Sequence, residues 1–444
     1  MDRAGASRPS GSLLTTAGAA VVVVASAVAF AASRHPQGTL VAVVLLTLTG
    51  LAAYRPPVAV AILVASFYFD SYLAVGLGLL TIGKLVGVLT GGAWFFSWAV
   101  ARRPVVVDSL FWVLGGLTAW IALALAAAYD SLAGMAVASR YLTFFLLVFL
   151  VVQTVNSDRR QAARLVDVAV AAAAVSAVLG LLNFFVLHAD RAGGPLADPN
   201  DFGFLLAVTV PLAMLAARRA ARPVRQALAV LALTLIAAAI LVSFSRGALI
   251  GLAAAGTWAV ATRRLAVRWG VIAATGVLAV ALVIYHWEPQ LVESGLERKQ
   301  HVASSNVDAR LVAWSVAGQE FASSPLLGVG PGNFESRFDE FGLPVETGQG
   351  PITTHNAYLN VLAELGAPGL ALFVAYLAMS WARLRRRAPG DPDGDALQSA
   401  LAAGFLIAMV GSFFLTEQFY SPLWLLPALG ATLLRAPANA GTHR

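Results

Sequence analysis

The 444 residues are 59% hydrophobic and only 12% charged, and they contain repeated runs approaching the ~20 apolar residues that a bilayer-spanning helix needs. This excludes the two or three polar-shelled soluble domains that such a length would otherwise suggest, and predicts one integral membrane domain over 1–444. The net charge of +7 does not indicate nucleic acid, because the arginines sit in small clusters between apolar runs; with no cysteine, disulfides and thiolate sites are also excluded.

In chain order, Val21 to Ala32 follows Arg3 and Arg8 and has the look of a signal peptide, but the many apolar runs after it favour an uncleaved first span. Runs at 13–32, 39–54, 57–69, 82–100, 107–127, 136–154, 162–187, 202–217, 224–242, 247–262, 267–286, 356–380, 396–415 and 418–434 predict about 12 to 14 spans. The short 57–69 run also fits a re-entrant segment. With the N-terminus inside, 21 of the 30 Lys and Arg residues fall on the inner side and 9 on the outer side. That agrees with the excess of basic residues in short cytoplasmic loops, and puts both termini in the cytoplasm.

Several polar residues interrupt this pattern at the outer ends of spans. Arg140, in "VASRYLTFF", reads either as an anchor snorkelling to the interface or as an anion ligand. "DPNDFG" holds Asp198, Asn200 and Asp201 at a helix start, where capping and chemistry are equally good accounts. Arg246 lies in "LVSFSRGALIGLAA" and reads either as snorkelling to lipid phosphates or as an anion ligand, since Ser243, Ser245 and Gly247 leave hydroxyls and backbone accessible at a helix start suited to an anion.

The interval 287–354 is the longest connection, and long ordered connections usually serve function. It is expected to be a large extracytoplasmic loop containing an amphipathic helix, with Asn306 or Asp308 as its cap and Leu311, Trp314 and Val316 on its apolar side. This helix is expected to lie on the membrane surface or to roof a cavity. Arg310 on it reads by spacing alone as a solvated residue, and "PLLGVGPGNF" supplies a turn.

His355 then begins a helix, where the macrodipole disfavours its protonated form and keeps the imidazole available as a base; a lone histidine so placed is more often structural or interfacial. Glu364, nine residues later, falls on the opposite side of a straight helix and is expected to contact another helix, with Gly366, Pro368 and Gly369 marking a break. "GDPDGD" at 390–395 lacks the sixth-position glycine and closing glutamate of a calcium loop, and reads as a flexible, solvated linker.

The order "SFSRGALIGL", a long loop with "DARLVAW" and "SPLLGVGPGNF", then "HNAYLNVLAELGAPGLALF" resembles the O-antigen ligase family of polytopic enzymes, over about 200–380. The resemblance implies an all-α transmembrane bundle in the bacterial cytoplasmic membrane, its site facing outward. It implies transfer of a glycan from a polyprenyl diphosphate carrier to a glycan, lipid or protein acceptor, among membrane lipids, without nucleic acid, cofactor, metal or nucleotide sugar. By the same resemblance Arg246 and Arg310 hold the diphosphate, His355 is the general base, and Arg140, Ser245, Asn200 and Asn356 line the substrate. A polymerase of the same fold is the alternative. A lipid-linked sugar transporter is the alternative of another class, expected to carry coupling charges deep in the membrane instead of clustered at one side.

Overall fold

The computed structural model describes residues 56–69, 82–101, 104–155, 158–196, 198–341, 353–387 and 391–433. The signal-like start, the runs expected at 13–32 and 39–54, and loop residues 342–352 lie outside the described residues. The described elements are all helical, with no strand among them. They begin with α1 (Pro56–Ser66), α2 (Ile82–Ala101), α3 (Ser109–Ala124), α4 (Ser131–Val155) and α5 (Arg159–Phe185). Next come α6 (Pro199–Arg219), α7 (Pro223–Ser243), α8 (Arg246–Ala261), α9 (Val267–Trp287) and α10 (Pro289–Ser323). The last are α11 (Phe334–Phe341), α12 (Ala357–Leu384), α13 (Pro392–Gly411) and α14 (Pro422–Leu433).

Seven of these helices, α3 to α7, α12 and α13, are long and apolar enough to cross a membrane; Pro56–Phe69, α8, Thr275–Trp287 and Pro422–Ala431 are shorter apolar helices. Each coincides with an apolar run expected from the sequence. Their starts are chemically marked: Asp108, Asp158, Asp198, Ser245, Asn356 and Asp391 each occupy an N-cap and accept a backbone N–H of the first turn. In hydrocarbon, helices gain little from hiding apolar surface, so close approach matters. Gly251 of α8 meets Ile407 of α13, and Gly404 of α13 meets the Val208 carbonyl of α6, each leaving no room for a β-carbon without movement. At the centre, the fully buried Trp424 of α14 stacks on Phe144 at 5.4 Å and on Tyr376 at 4.9 Å between ring centroids.

The two ends of the bundle differ chemically. At one end Arg383 donates to buried Asp108 at 2.6 Å, Arg159 donates to Asp391 at 2.7 Å, Arg219 pairs with Asp167, and Arg264 donates to Ser399 and to the Arg385 carbonyl, each at 2.5 Å. The basic clusters thus also stitch helix ends together, although exposed pairs of this kind contribute little stability each. Asp391 is here a cap and an ion-pair partner, so from that residue onward the acidic stretch is the ordered start of α13 and not a flexible linker.

The large loop also differs from its expected form. α10 is one continuous helix of 35 residues, about 50 Å long, that begins at Pro289; Asn306 and Asp308 lie inside it and cap nothing. Ala313, Val316, Ala317 and Glu320 form its buried side against α12, whereas Leu311 is exposed. The apolar side expected through Leu311, Trp314 and Val316 is therefore rotated toward the alanines.

α12 bends sharply at Gly366, whose φ of 66° and ψ of −173° are accessible essentially only to glycine. The bend frees backbone groups that must find partners inside a membrane protein. Val329 N–H donates to the Ala363 carbonyl at 2.9 Å, Gly330 N–H to Glu364 at 3.1 Å and the Trp120 indole to Leu365 at 2.9 Å, while Ala367 N–H donates to Pro325 at 2.9 Å. The glycine-rich turn after α10 is therefore the hydrogen-bond complement of the kink. Glu364 completes the seam: its carboxylate accepts from the Gly332 and Phe334 N–H groups and from Asn360, so it contacts this turn, its own helix and, through Phe334, the start of another helix, α11, as its spacing suggested.

A β-carbon at Gly366 would collide with the Leu326 carbonyl. Gly366→Ala is therefore expected to destabilise by about 1–3 kcal/mol from backbone strain, with the collision in addition. Thermal unfolding in detergent checks this against Gly256→Ala, where nothing lies within 4 Å; equal midpoints for the two variants would contradict the seam.

Candidate active site

At the opposite end, the segment before α12 makes a tight turn. His355 holds a left-handed conformation, φ 45°, that few non-glycine residues adopt. The turn is tied on both sides: the buried Thr354 hydroxyl donates to the Asn356 carbonyl at 3.1 Å, and Asn356 accepts from Tyr358 and Leu359 N–H groups as the N-cap of α12. Ala357 N–H donates to the carbonyls of Ser412, at 2.8 Å, and Leu415, at 3.1 Å, just beyond α13. His355 thus stands just outside the helix it was expected to begin, and is half-buried.

Arg310 reaches this turn through its own helix. Trp314, one helical turn further along α10, donates its indole N–H to the Thr354 carbonyl at 2.9 Å. The guanidinium of Arg310 is close enough for its charge to act on His355 and to feel Asp198. Burial first, then Arg310, lowers the pKa of His355 from its usual 6.5, while Asp198 opposes the shift. The imidazole is thereby neutral at physiological pH and able to accept a proton.

Arg246 is the first residue of α8. Ser245 caps that helix, accepting from Ala248 N–H and donating to the Asn200 carbonyl, each at 3.4 Å. Gly247 lies against Phe414, in the same Ser412–Leu415 turn that receives Ala357. The starts of α8 and α12 therefore flank one short segment. Arg246 is exposed, and among the described residues neither Arg246 nor Arg310 makes a hydrogen bond or ion pair. Their forked donors are uncommitted, which suits a bidentate anion.

Other polar groups surround them. Arg191, counted in the sequence only as an outer basic residue, donates its Nε to the Ser243 carbonyl at 2.9 Å and a terminal nitrogen to Asn200 at 2.7 Å. It caps the C-terminus of α7, where a cation is favourable, and fixes the junction before Arg246. Asp198 caps α6, and Asp201 on the first turn of that helix receives the Tyr420 hydroxyl. Ser245, Asn200 and Asn356, expected to line the substrate, are used by the structure as caps and braces. Arg140 is exposed, lies 5.4 Å over the Phe419 ring, and opposes the burial that raises the pKa of Glu335.

A buried acid lies further along α10. Glu320 is inaccessible to solvent, and neither of its carboxylate oxygens has a hydrogen-bond partner. Burial, then Glu364 and Glu340, push its pKa from 4.5 to about 8 against the pull of Arg337. Such a group favours the docked loop most below about pH 4.5, loses ground as the undocked chain ionises, and levels off above about pH 8. Glu320→Gln is expected to flatten the fall in thermal stability between those values; an unchanged slope would contradict the assignment.

The fold defines a multi-pass, all-helical membrane protein, with Arg246, Arg310 and His355 as candidate site residues near the starts of α8 and α12. Residues 229–374 match the family model described as O-Antigen ligase, so this stretch of the chain is similar to the O-antigen ligase family. The matched residues include Arg246, Arg310 and His355; Arg191, Asp198, Asp201 and Tyr420 lie outside them. A search of curated proteins finds no match.

Proposed function

We propose that this protein transfers a glycan from a polyprenyl diphosphate carrier to an acceptor hydroxyl at the outer face of the cytoplasmic membrane. The observation that carries the reading is the pairing of two uncommitted guanidiniums, Arg246 and Arg310, with the neutral imidazole of His355, carried on a braced backbone turn, around the Ser412–Leu415 segment. The opposite end of the bundle, crowded with Arg159, Arg219, Arg264 and Arg383, fits the cytoplasmic side, so the site faces outward.

His355 takes the acceptor's hydroxyl proton as that oxygen attacks the anomeric carbon. The bond from this carbon to the diphosphate oxygen breaks, and its electron pair leaves with the polyprenyl diphosphate. Arg246 and Arg310 offset the negative charge that grows on the leaving group. Attack opposite the leaving group inverts the anomeric configuration. Neither guanidinium charge nor imidazole basicity calls for a metal or nucleotide sugar.

Purified protein supplied with a polyprenyl diphosphate glycan and a panel of lipid, glycan and protein acceptors tests the reading. The expected product is an acceptor bearing the glycan, with free polyprenyl diphosphate. Only lengthened carrier-linked chains would assign a polymerase instead, and movement of the intact donor across a vesicle without bond cleavage would assign a transporter.

A further inference from the structure

We infer that Asp198 is a positioning residue of the transfer reaction, its carboxylate serving as counter-ion to the imidazolium formed when His355 takes the acceptor proton. The inference rests on the function proposed above and assigns a role that neither the matched segment nor the helix-capping pattern supplies.

Geometry brings the helix starts that carry the two groups, those of α6 and α12, to one segment. Asp198 sits at the start of α6, and Asp201, three residues on, receives the Tyr420 hydroxyl from the segment after α13. Ala357, two residues after His355, is hydrogen-bonded to Ser412 and Leu415 in the same segment. Trp314 then pins the His355 turn to the helix that carries Arg310. The cap itself uses only Oδ1 of Asp198, which accepts from Asn200 N–H at 2.5 Å.

The charged groups around this point are Arg310 from α10, Arg191 from the α5–α6 connection, Asp201 from the first turn of α6, and Arg246 from α8, joined through Ser245 and Asn200. Arg310 stands against a protonated His355, as does burial, and Asp198 supplies the opposing negative charge. A site that must bind an anionic leaving group with guanidiniums and also form an imidazolium beside them has conflicting needs. A carboxylate whose charge acts on the base reconciles them, because its attraction grows as the imidazole becomes charged.

Asp198→Asn isolates this role, since the asparagine oxygen still caps α6. In Asp198→Asn, the acidic limb of kcat/KM against pH is expected to move to lower pH, and the plateau kcat to fall by up to about tenfold for each unit of lost proton affinity. Donor KM should not rise, because removing a negative charge cannot weaken diphosphate binding. An unmoved limb, at unchanged thermal midpoint, overturns the inference whether or not kcat falls. The proposed function fails separately: in that case His355→Gln would retain full transfer and the wild-type limb would be absent.

Discussion

His355→Gln is expected to lower kcat for glycan transfer by about 10²- to 10⁴-fold, the usual worth of a positioned general base, with KM for the donor nearly unchanged. The split follows from when the interaction acts. In the proposed reaction the imidazole meets the acceptor proton as the new bond forms, whereas Arg246 and Arg310 would hold the diphosphate beforehand. Glutamine is polar and can hydrogen-bond but cannot take a proton at neutral pH. The turn itself is set by Thr354, the Asn356 cap and the Trp314 tether, none of which uses the His355 side chain, so the variant should fold. In the wild type, transfer should rise with pH through a value below the usual histidine pKa, because burial and Arg310 lower it. In the variant this limb should vanish. A rise in donor KM with unchanged kcat would instead mark His355 as a binding residue.

Arg310→Lys and Arg246→Lys are each expected to reduce transfer by about 10²- to 10³-fold, comparable to losing one preorganised donor to a developing oxyanion. Lysine keeps the charge but loses the planar fork, so a large effect of so mild a change would show that bidentate geometry is being used. Arg246 is exposed and neither side chain holds a protein partner among the described residues, so stability should scarcely change. Arg191→Lys provides the contrast. Its guanidinium already bridges Ser243 and Asn200, and losing that fork should lower the thermal midpoint together with activity. If the lysine variants at 246 and 310 were fully active, the diphosphate clamp would be wrong.

The membrane helices were legible in the sequence because one signal, sustained apolarity, fixes them, and cap residues such as Asp108, Asp158 and Asp198 mark their starts. α10 was not, because it is a long polar helix with little apolar periodicity over its first half. Asn306 and Asp308 are good cap types in the wrong place, and Glu288-Pro289 was the better start signal, with proline at the first helical position. The kink at Gly366 was readable from Gly-Ala-Pro-Gly, but its partner was not: a helix break tells where backbone groups are freed, and only the fold says that Val329 and Gly330 satisfy them. In the site, Arg246, Arg310 and His355 stood out through motif order. Arg191 and Asp198 did not, since a short loop arginine and a helix cap have ordinary local explanations and acquire their further roles through α7, α10 and the turn before α12.

The most direct test of the central claim is single-turnover transfer from a polyprenyl diphosphate glycan by purified protein, comparing wild type with Arg246→Ala, Arg310→Ala and His355→Ala of verified fold. The account predicts one free polyprenyl diphosphate released per glycan transferred by the wild type, and strong loss of both products in all three variants. Unchanged transfer in all three would contradict it.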